Sequence, residues 1–126
     1  MAYGLVKTGG FSLDANEIVS GFILELRRGT IILCVLSKLN TPAYGYNLVE
    51  TLSGSGIPVE ANTLYPLLRR LESQGLIQGT WNTDGSKPRK YYCITESGKT
   101  ILAILQKHWQ DIAQSMNKIL EGSSNE

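Results

Sequence analysis

The residues best suited to chemistry in this chain lie together in the stretch NTLYPLLRRL, residues 62–71. Placed at about 100° per residue, its leucines fall on one side of a helix and its polar residues fall on the other. The polar side and its flanks consist of Asn62, Thr63, Tyr65, Pro66, Arg69, Arg70 and Ser73. Guanidinium, amide and hydroxyl groups on one helical face suit contact with an anionic surface. An ordinary surface helix with two arginines in solvent gives the same pattern. The neighbouring elements must therefore decide between such a helix and one that contacts an anionic surface.

A predicted helix and a turn come directly before this stretch. Thr41-Pro42 is typical of a helix start, because the hydroxyl can cap and proline is tolerated at the first helical position. We therefore expect a helix from about Ala43 to Ser53, followed by a turn at 54–58 that contains two glycines and a proline. Helix, short turn and helix is the plan of a helix-turn-helix, whose second helix enters a groove.

Pro66 constrains where the second of these helices can begin. Proline inside a helix removes a hydrogen bond, but it costs little in the first turn, where the N–H has no partner within the helix. We therefore expect Thr63 to cap the helix and its regular part to run from Leu64 to Ser73. Gly75 is suited to the left-handed conformation that ends it.

A β-hairpin is predicted after Gly75. Residues 76–81 and 89–95 are rich in β-branched and aromatic side chains, and the polar segment 82–88 separates them. The cations near the hairpin tip are Lys87, Arg89 and Lys90. Such a hairpin is either a solvated loop or a wing that adds phosphate contacts beside the helix.

The positive charge of the chain gathers in this region. From Thr63 to Tyr92 there are five positive and two negative residues, against four and five from Met1 to Asn62. The net charge is only +1, which argues against a surface coated by a polyanion and is compatible with a local basic patch.

The two ends of the chain carry apolar stripes. We expect an irregular, mobile tail over residues 1–11 and a core helix from about Thr30 to Leu39. Between them we expect a helix from about Asp14 to Leu26, with Ser12 or Asp14 as its cap. A long helix, capped by Thr95, then runs to about Leu120. Its apolar residues repeat with the spacing of a coiled-coil seam at Leu102, Leu105, Trp109, Ile112, Met116 and Ile119.

These stripes either pack back on their own domain or are buried against a second copy of the chain. A chain this small fills its central core without them, so we favour a homodimer of C2 symmetry. Ile18 and Phe22 of the N-terminal stripe are then expected at the interface together with the C-terminal stripe.

Composition and motifs exclude several classes of protein. A chain of 126 residues with 42% hydrophobic residues accommodates one domain with appendages. Cys34, Cys93 and His108 have no partners at metal-ligand or catalytic spacing, and no phosphate-binding loop or nucleophile motif is present. We therefore expect no enzyme activity, no metal and no cofactor. The sequence shows no bilayer-spanning run and no signal peptide, so we expect no membrane contact and a cytoplasmic location.

Several short motifs, in a fixed order, resemble the PadR-like transcriptional regulators. They are Leu26-Arg27-Arg28-Gly29, Tyr44-Gly45-Tyr46, Thr63-Leu64-Tyr65-Pro66, Arg70-Leu71-Glu72, Gly75-Leu76-Ile77, Arg89-Lys90-Tyr91-Tyr92 and Ile94-Thr95 with Gly98. The resemblance implies a mainly α fold with a small β-hairpin. It also implies a winged helix-turn-helix at 28–95, followed by a C-terminal dimerisation helix and tail at 96–126, as in the smaller subfamily. The tail and extra helix at 1–27 lie outside the well-matched region, and this helix could wrap the partner subunit.

The same resemblance implies a repressor that binds double-stranded DNA at a near-palindromic operator as a homodimer. Its half-sites would lie one helical turn, roughly 34 Å, or a multiple of it apart. The residues then expected at DNA are Tyr44, Tyr46, Asn62, Thr63, Tyr65, Pro66, Arg69, Arg70, Lys87, Arg89 and Lys90. An alternative, favoured by the near-neutral charge, is a winged-helix protein-interaction module without sequence-specific DNA binding.

A small aromatic effector is a further implication of the resemblance. In the multidrug-sensing branch, a tryptophan fourteen residues after the threonine of the YYxLT motif stacks on planar drugs at the dimer interface. Trp109 stands fourteen residues after Thr95, and Ile112 follows one helical turn later. Packing in a dimer core is the commoner role for such an aromatic residue, by roughly two to one, so both roles stay open.

Overall fold

The computed structural model describes the backbone of residues 5–8 and 11–124, and the side chains of residues 14–122. The chain divides into two compact units, the first ending at Ile31 and the second beginning at Ile32. The first unit contains the strands β1 (Leu5–Thr8) and β2 (Phe11–Asp14) and the helix α1 (Ala15–Arg28). The helices α2 (Ile31–Lys38), α3 (Gly45–Gly54), α4 (Ala61–Ser73) and α5 (Glu96–Ser124) follow.

A three-stranded antiparallel sheet completes the second unit. Its strands are β3 (Ala43–Tyr44), β4 (Ile77–Asn82) and β5 (Arg89–Ile94), arranged in the order β3-β5-β4. The predicted hairpin corresponds to β4 and β5, which pair from Ile77 opposite Ile94 to Asn82 opposite Arg89. The expected mainly helical fold with a small hairpin is therefore confirmed.

The expectation of an irregular N-terminal tail is wrong over the part of it that the structure describes. Strands β1 and β2 pair in antiparallel register, from Leu5 opposite Asp14 to Thr8 opposite Phe11. The sequence between them is Gly9-Gly10, a recognised signal for a two-residue hairpin connection. Residues 1–4, 9 and 10 lie outside the described part. The carboxylate of Asp14 accepts from the N–H of Asn16 at 2.8 Å, which confirms the predicted cap of α1.

Leucines from three helices form the core of the second unit. The fully buried side chains include Leu36 and Leu39 from α2 and its end, Leu48 and Leu52 from α3, and Leu64, Leu68 and Leu71 from α4. The sheet adds Ile77 at 2% exposure and Ile94 at 7%. Each such side chain stabilises the fold by about 1.5–3 kcal/mol through burial. Helix α4 therefore packs into this core with only one of its faces.

Two predicted helix starts are wrong. Ala43 and Tyr44 do not begin α3, because they pair with Tyr92 and Tyr91 of β5 and so extend the sheet. Thr63 does not cap α4, because the Glu60 carbonyl accepts from both Thr63 and Leu64 and the helix begins at Ala61. Pro66 therefore stands well inside α4, and the carbonyl of Asn62 loses the N–H donor that an ordinary residue would supply.

Glycines end both helices of the helix-turn-helix. Gly56 after α3 and Gly75 after α4 have φ values of 86° and 77°, the left-handed conformation that only glycine adopts without strain. After α4, Gly75 N–H donates to the Glu72 carbonyl and Leu76 N–H donates to the Leu71 carbonyl. This pair of bonds is a Schellman motif, and it turns the chain from α4 directly into the sheet.

Thr95 connects the end of α4 to the start of α5. Its hydroxyl donates to the Gly75 carbonyl at 2.7 Å and accepts from the Gly98 N–H at 3.0 Å, which confirms Thr95 as the predicted cap. A Cβ on Gly98 would collide with the backbone carbonyl of Leu76. The first turn of α5 is therefore held against the turn that ends α4. Among the helices formed by the described residues, none combines the length and apolar character needed to cross a membrane.

Candidate nucleic-acid interface

Helix α4 has an apolar face and an opposite polar face, as predicted. Leu64, Leu68 and Leu71 are at most 1% exposed. The opposite face carries the exposed residues Asn62, Pro66, Arg69 and Ser73, which are spaced four, three and four apart. Thr63 and Arg70 are exposed on one flank of this face, while Tyr65 and Glu72 lie on the other. Neither arginine takes part in an ion pair within the described residues.

Tyr65 ties α4 to the first residue of α3. Gly45 is buried, and a Cβ built on it would lie 2.5–2.7 Å from the ring and hydroxyl of Tyr65. Only a residue without a side chain allows this approach. Because Tyr65 is still 38% exposed, it combines a fixed position with an accessible surface.

An aromatic cluster with one cation lies around the start of α3. The rings of Tyr44 and Tyr46 stack with centroids 6.4 Å apart, and Tyr44 meets Tyr91 of β5 edge to face at 5.6 Å. The guanidinium carbon of Arg89 lies 5.1 Å from the centroid of the Tyr44 ring. Tyr46 is 59% exposed, and a hydrogen bond to the Glu50 carboxylate raises its pKa, so its hydroxyl stays protonated at neutral pH. This cluster joins β3 and the start of α3 to the N-terminal half of β5.

Lys90 differs from the other hairpin cations because its ammonium is already engaged. Its Nζ lies 2.8 Å from Oε1 of Glu72 on α4, and the two side chains are only 28% and 31% exposed. The hydrogen bond to Glu72 raises the pKa of Lys90. Lys87 and Arg89, by contrast, are exposed and form no ion pair within the part of the chain that the structure describes.

The predicted interface residues of the terminal helices are largely solvent-accessible in a single chain. On α5, Trp109 is 46% exposed, Ile112 57%, Met116 44% and Ile119 59%, whereas Leu102 and Leu105 are partly buried. From Gln106 to Gly122, Ala113 is the one residue that is not exposed. On α1, Ile18 is partly buried and Phe22 is 60% exposed.

The structure brings most of the predicted DNA-contacting residues of α3 and α4 into one connected surface. Tyr65 touches Gly45, whose neighbours Tyr44 and Tyr46 stack together, and Arg89 covers Tyr44. Lys87 lies apart from these contacts, beyond the strands. Gly45, Glu72 and Tyr91 belong to the motifs that carry the family resemblance, but the sequence predicted no contact for them or for Gly79, because these contacts form between elements. No group of three or more His, Cys, Asp or Glu residues that could hold a metal occurs in the described residues.

Comparison with known proteins agrees with this geometry. The chain matches the family model described as "Transcriptional regulator PadR-like family" over residues 32–104. It is 53% identical to a PadR family transcriptional regulator from Eggerthella lenta DSM 2243, whose crystal structure superposes with a TM-score of 0.82 over 85% of this chain and 96% of that chain.

Two further relatives extend the same similarity. A PadR-like transcriptional regulator from Bacillus cereus strain ATCC 14579 is 31% identical, with a TM-score of 0.69 over 76% of this chain and 96% of that one. The transcriptional regulator Rv3488 of Mycobacterium tuberculosis is 28% identical over 102 residues, which are 80% of this chain and 92% of the relative.

The contact between Gly45 and Tyr65 gives a prediction about stability. We expect Gly45→Ala to lower the free energy of unfolding by about 1–3 kcal/mol, because the new methyl group overlaps the Tyr65 ring. In a Tyr65→Ala background the same change should be neutral, or stabilising by up to about 1 kcal/mol through helix propensity. Urea denaturation measures both. Gly54→Ala, where no atom lies within 4 Å, is the control. Equal losses in the two backgrounds would contradict the assignment.

Proposed function

Since this chain belongs to the PadR-like family of transcriptional regulators, which are winged-helix DNA-binding proteins, we propose that it is a repressor acting as a homodimer on a near-palindromic operator. In this proposal α4 lies in the major groove. The wing, which we define as β4, β5 and residues 83–88 between them, lies along the adjacent backbone. The observation that carries the proposal is the exposed face of α4, which continues through Tyr65 and Gly45 to the Tyr44 and Arg89 cluster.

The residues of this surface suit different kinds of DNA contact. Asn62 and Arg69 are the side chains at the centre of the exposed face of α4 that can form bidentate bonds, to adenine and guanine respectively. Tyr44 and Tyr46, with Arg89 beside them, can donate to phosphates, and Lys87 adds a mobile point charge. The N-terminus of α3 also suits a phosphate, because helix N-termini bind anions through backbone N–H groups. The side chain of the cap residue Tyr44 forms no hydrogen bond to these groups. We place Thr63, Pro66 and Arg70 at the edges of the contact.

The exposed stripe of α5 supports assembly with a second copy. Trp109, Ile112 and Met116 are each 44–57% exposed, at positions that fit a coiled-coil seam. The ion pair between Lys107 and Asp111 lies on the other side of α5, so the helix is apolar on one face and charged on the opposite one. Two such stripes bury each other, and Ile18 and Phe22 of α1 are further residues that we propose contact the second copy.

A small planar aromatic effector would bind at the junction of the two copies. Trp109 offers an accessible ring face, and Ile112 follows one turn later on the same side of the helix. A single α5 gives only one wall, so the pocket requires the partner copy. Stacking of a planar ligand between aromatic and aliphatic side chains is favourable without any polar anchor.

The DNA contact is tested by two substitutions in an anisotropy titration with a duplex from the promoter of the protein's own gene. Arg69→Ala should weaken binding by about 1–3 kcal/mol and relax sequence preference, because it removes a base contact. Lys87→Ala should lower the slope of log K against log salt by about 0.9, because one phosphate is no longer neutralised. Lys118→Ala, on the outer side of α5, is the control. If the parent protein shows no salt-dependent affinity for any duplex that contains its own upstream region, the protein-interaction module is favoured instead.

The homodimer is tested by a charge placed within the α5 stripe. Ile112→Glu should convert the dimer to monomer in sedimentation-velocity runs and abolish operator binding, since a carboxylate cannot be buried unpaired in an apolar seam. Gln114→Glu lies on the opposite face of the same helix and should leave the dimer intact. A dimer that survives Ile112→Glu would place the interface elsewhere.

The effector site is tested by tryptophan fluorescence. A planar cationic dye should quench the parent protein, and Trp109→Phe should remove the saturable part of the quenching while Trp81 continues to report non-specific contact. The dye should also weaken operator binding by the parent protein. Quenching that persists unchanged after Trp109→Phe would leave Trp109 with a role in the dimer core alone.

A further inference from the structure

The carboxylate of Glu72 connects α4 to both strands of the wing. Its Oε1 accepts from Lys90 Nζ of β5 at 2.8 Å, and its Oε2 accepts from the Gly79 N–H of β4 at 3.2 Å. Both oxygens therefore have a wing donor. The Glu72 side chain therefore links α4 to the wing at a second place, in addition to the turn at Gly75 and Leu76 that Thr95 contacts.

Gly79 makes room for this connection. A Cβ on Gly79 would collide with the side chain of Lys90 and would lie 2.6 Å from Glu72 Oε2. Gly79 lies opposite Tyr92 in the register of the hairpin, and Trp81 lies opposite Lys90. A glycine in the middle of a strand weakens it, so its presence here is explained by the close approach of two charged side chains.

Aromatic rings complete the surroundings of the Lys90 ammonium. Nζ lies 5.3 Å from the centroid of Tyr92 and 6.0 Å from that of Trp81, both within range of a cation–π contact. This pair is also better sheltered than the other ion pairs of the described residues, whose side chains are 50–92% exposed. A cation held by a carboxylate and two ring faces would have to give up these contacts to reach a phosphate.

We propose that Lys90 is a positioning residue, which together with Glu72 and Gly79 forms a strut that sets the wing against α4 and does not itself neutralise a DNA phosphate. This inference deepens the proposed DNA-binding function and rests on it. It separates Lys90 from Lys87 and Arg89, with which the sequence grouped it. The strut matters for binding because the wing and α4 must meet one duplex simultaneously.

The strut can be tested in the protein without DNA. Glu72→Gln keeps the shape of the side chain but leaves one acceptor oxygen for two donors. We expect hydrogen exchange of the Gly79 amide to become about fivefold faster, while the amides of Leu68 and Leu71 in the α4 core remain unchanged. An unchanged Gly79 rate would overturn the strut whatever the protein does with DNA.

Operator binding by the dimer then decides the role of Lys90. Lys90→Met should weaken binding about three- to tenfold without changing the salt slope, whereas the matched Lys87→Met should lower the slope by about 0.9. Glu72→Gln should weaken binding by a similar factor, and the double variant should be no weaker than either single one. This pattern would show that Lys90 and Glu72 affect DNA binding through the same contact.

The results that would contradict the strut differ from those that would contradict the proposed function. If Lys90 contacts phosphate, Lys90→Met lowers the slope as Lys87→Met does, Glu72→Gln tightens binding by removing a competing carboxylate, and the strut is refuted. If the parent protein shows no salt-dependent binding to any duplex, the proposed function fails, and the Gly79 exchange rate still reports whether the strut exists.

Discussion

The hydroxyl of Thr95 makes the contact on which the arrangement of the second unit depends. It donates to the Gly75 carbonyl at the end of α4 and accepts from Gly98 in the first turn of α5. The N–H of Thr95 also donates to the Leu76 carbonyl, against which Gly98 packs without a side chain. A helix end, a helix start and the first strand of the wing thus meet around one residue. Any change in the angle between α4 and α5 would have to break these bonds, so we regard α4, the wing and the start of α5 as one rigid body.

This rigidity bears directly on how a dimer would read DNA. If two copies join through α5, the distance between their α4 helices follows from the α4–α5 angle, which the Thr95 junction fixes. The leucine core then opposes rotation of α4 about its axis, because Leu64, Leu68 and Leu71 are at most 1% exposed and rotation would bring them into water. A ligand bound between two α5 helices would therefore act most economically by rotating whole subunits and changing half-site spacing, since interfaces repack more easily than close-packed cores.

Local signals in the sequence predicted the elements that local physics determines. The leucine spacing of α4, the caps at Asp14 and Thr95, the left-handed Gly75 and the two hairpin strands follow from periodicity and turn chemistry. The N-terminal hairpin was mispredicted although its Gly9-Gly10 signal is local. The other errors occurred where distant residues decide. Ala43 and Tyr44 became a strand because β5 offered unpaired backbone, and α4 began early despite Pro66 because its leucines are anchored in the core. The ion pair between Lys90 and Glu72 could not be predicted from local sequence either, because the two residues lie eighteen positions apart and on different elements.

The engagement of Lys90 also explains how a nearly neutral protein can serve as a DNA-binding regulator. Of the five positive residues between Thr63 and Tyr92, Lys90 is neutralised by Glu72, which leaves Arg69, Arg70, Lys87 and Arg89 against Asp84. One copy then neutralises only a few phosphates, so its non-specific affinity is low and depends only weakly on salt. In the proposed dimer, two copies at a fixed spacing would double the number of contacts only where both half-sites are present. Low charge and a rigid scaffold would then favour discrimination over bulk affinity, because the second copy would contribute fully only at a correctly spaced operator.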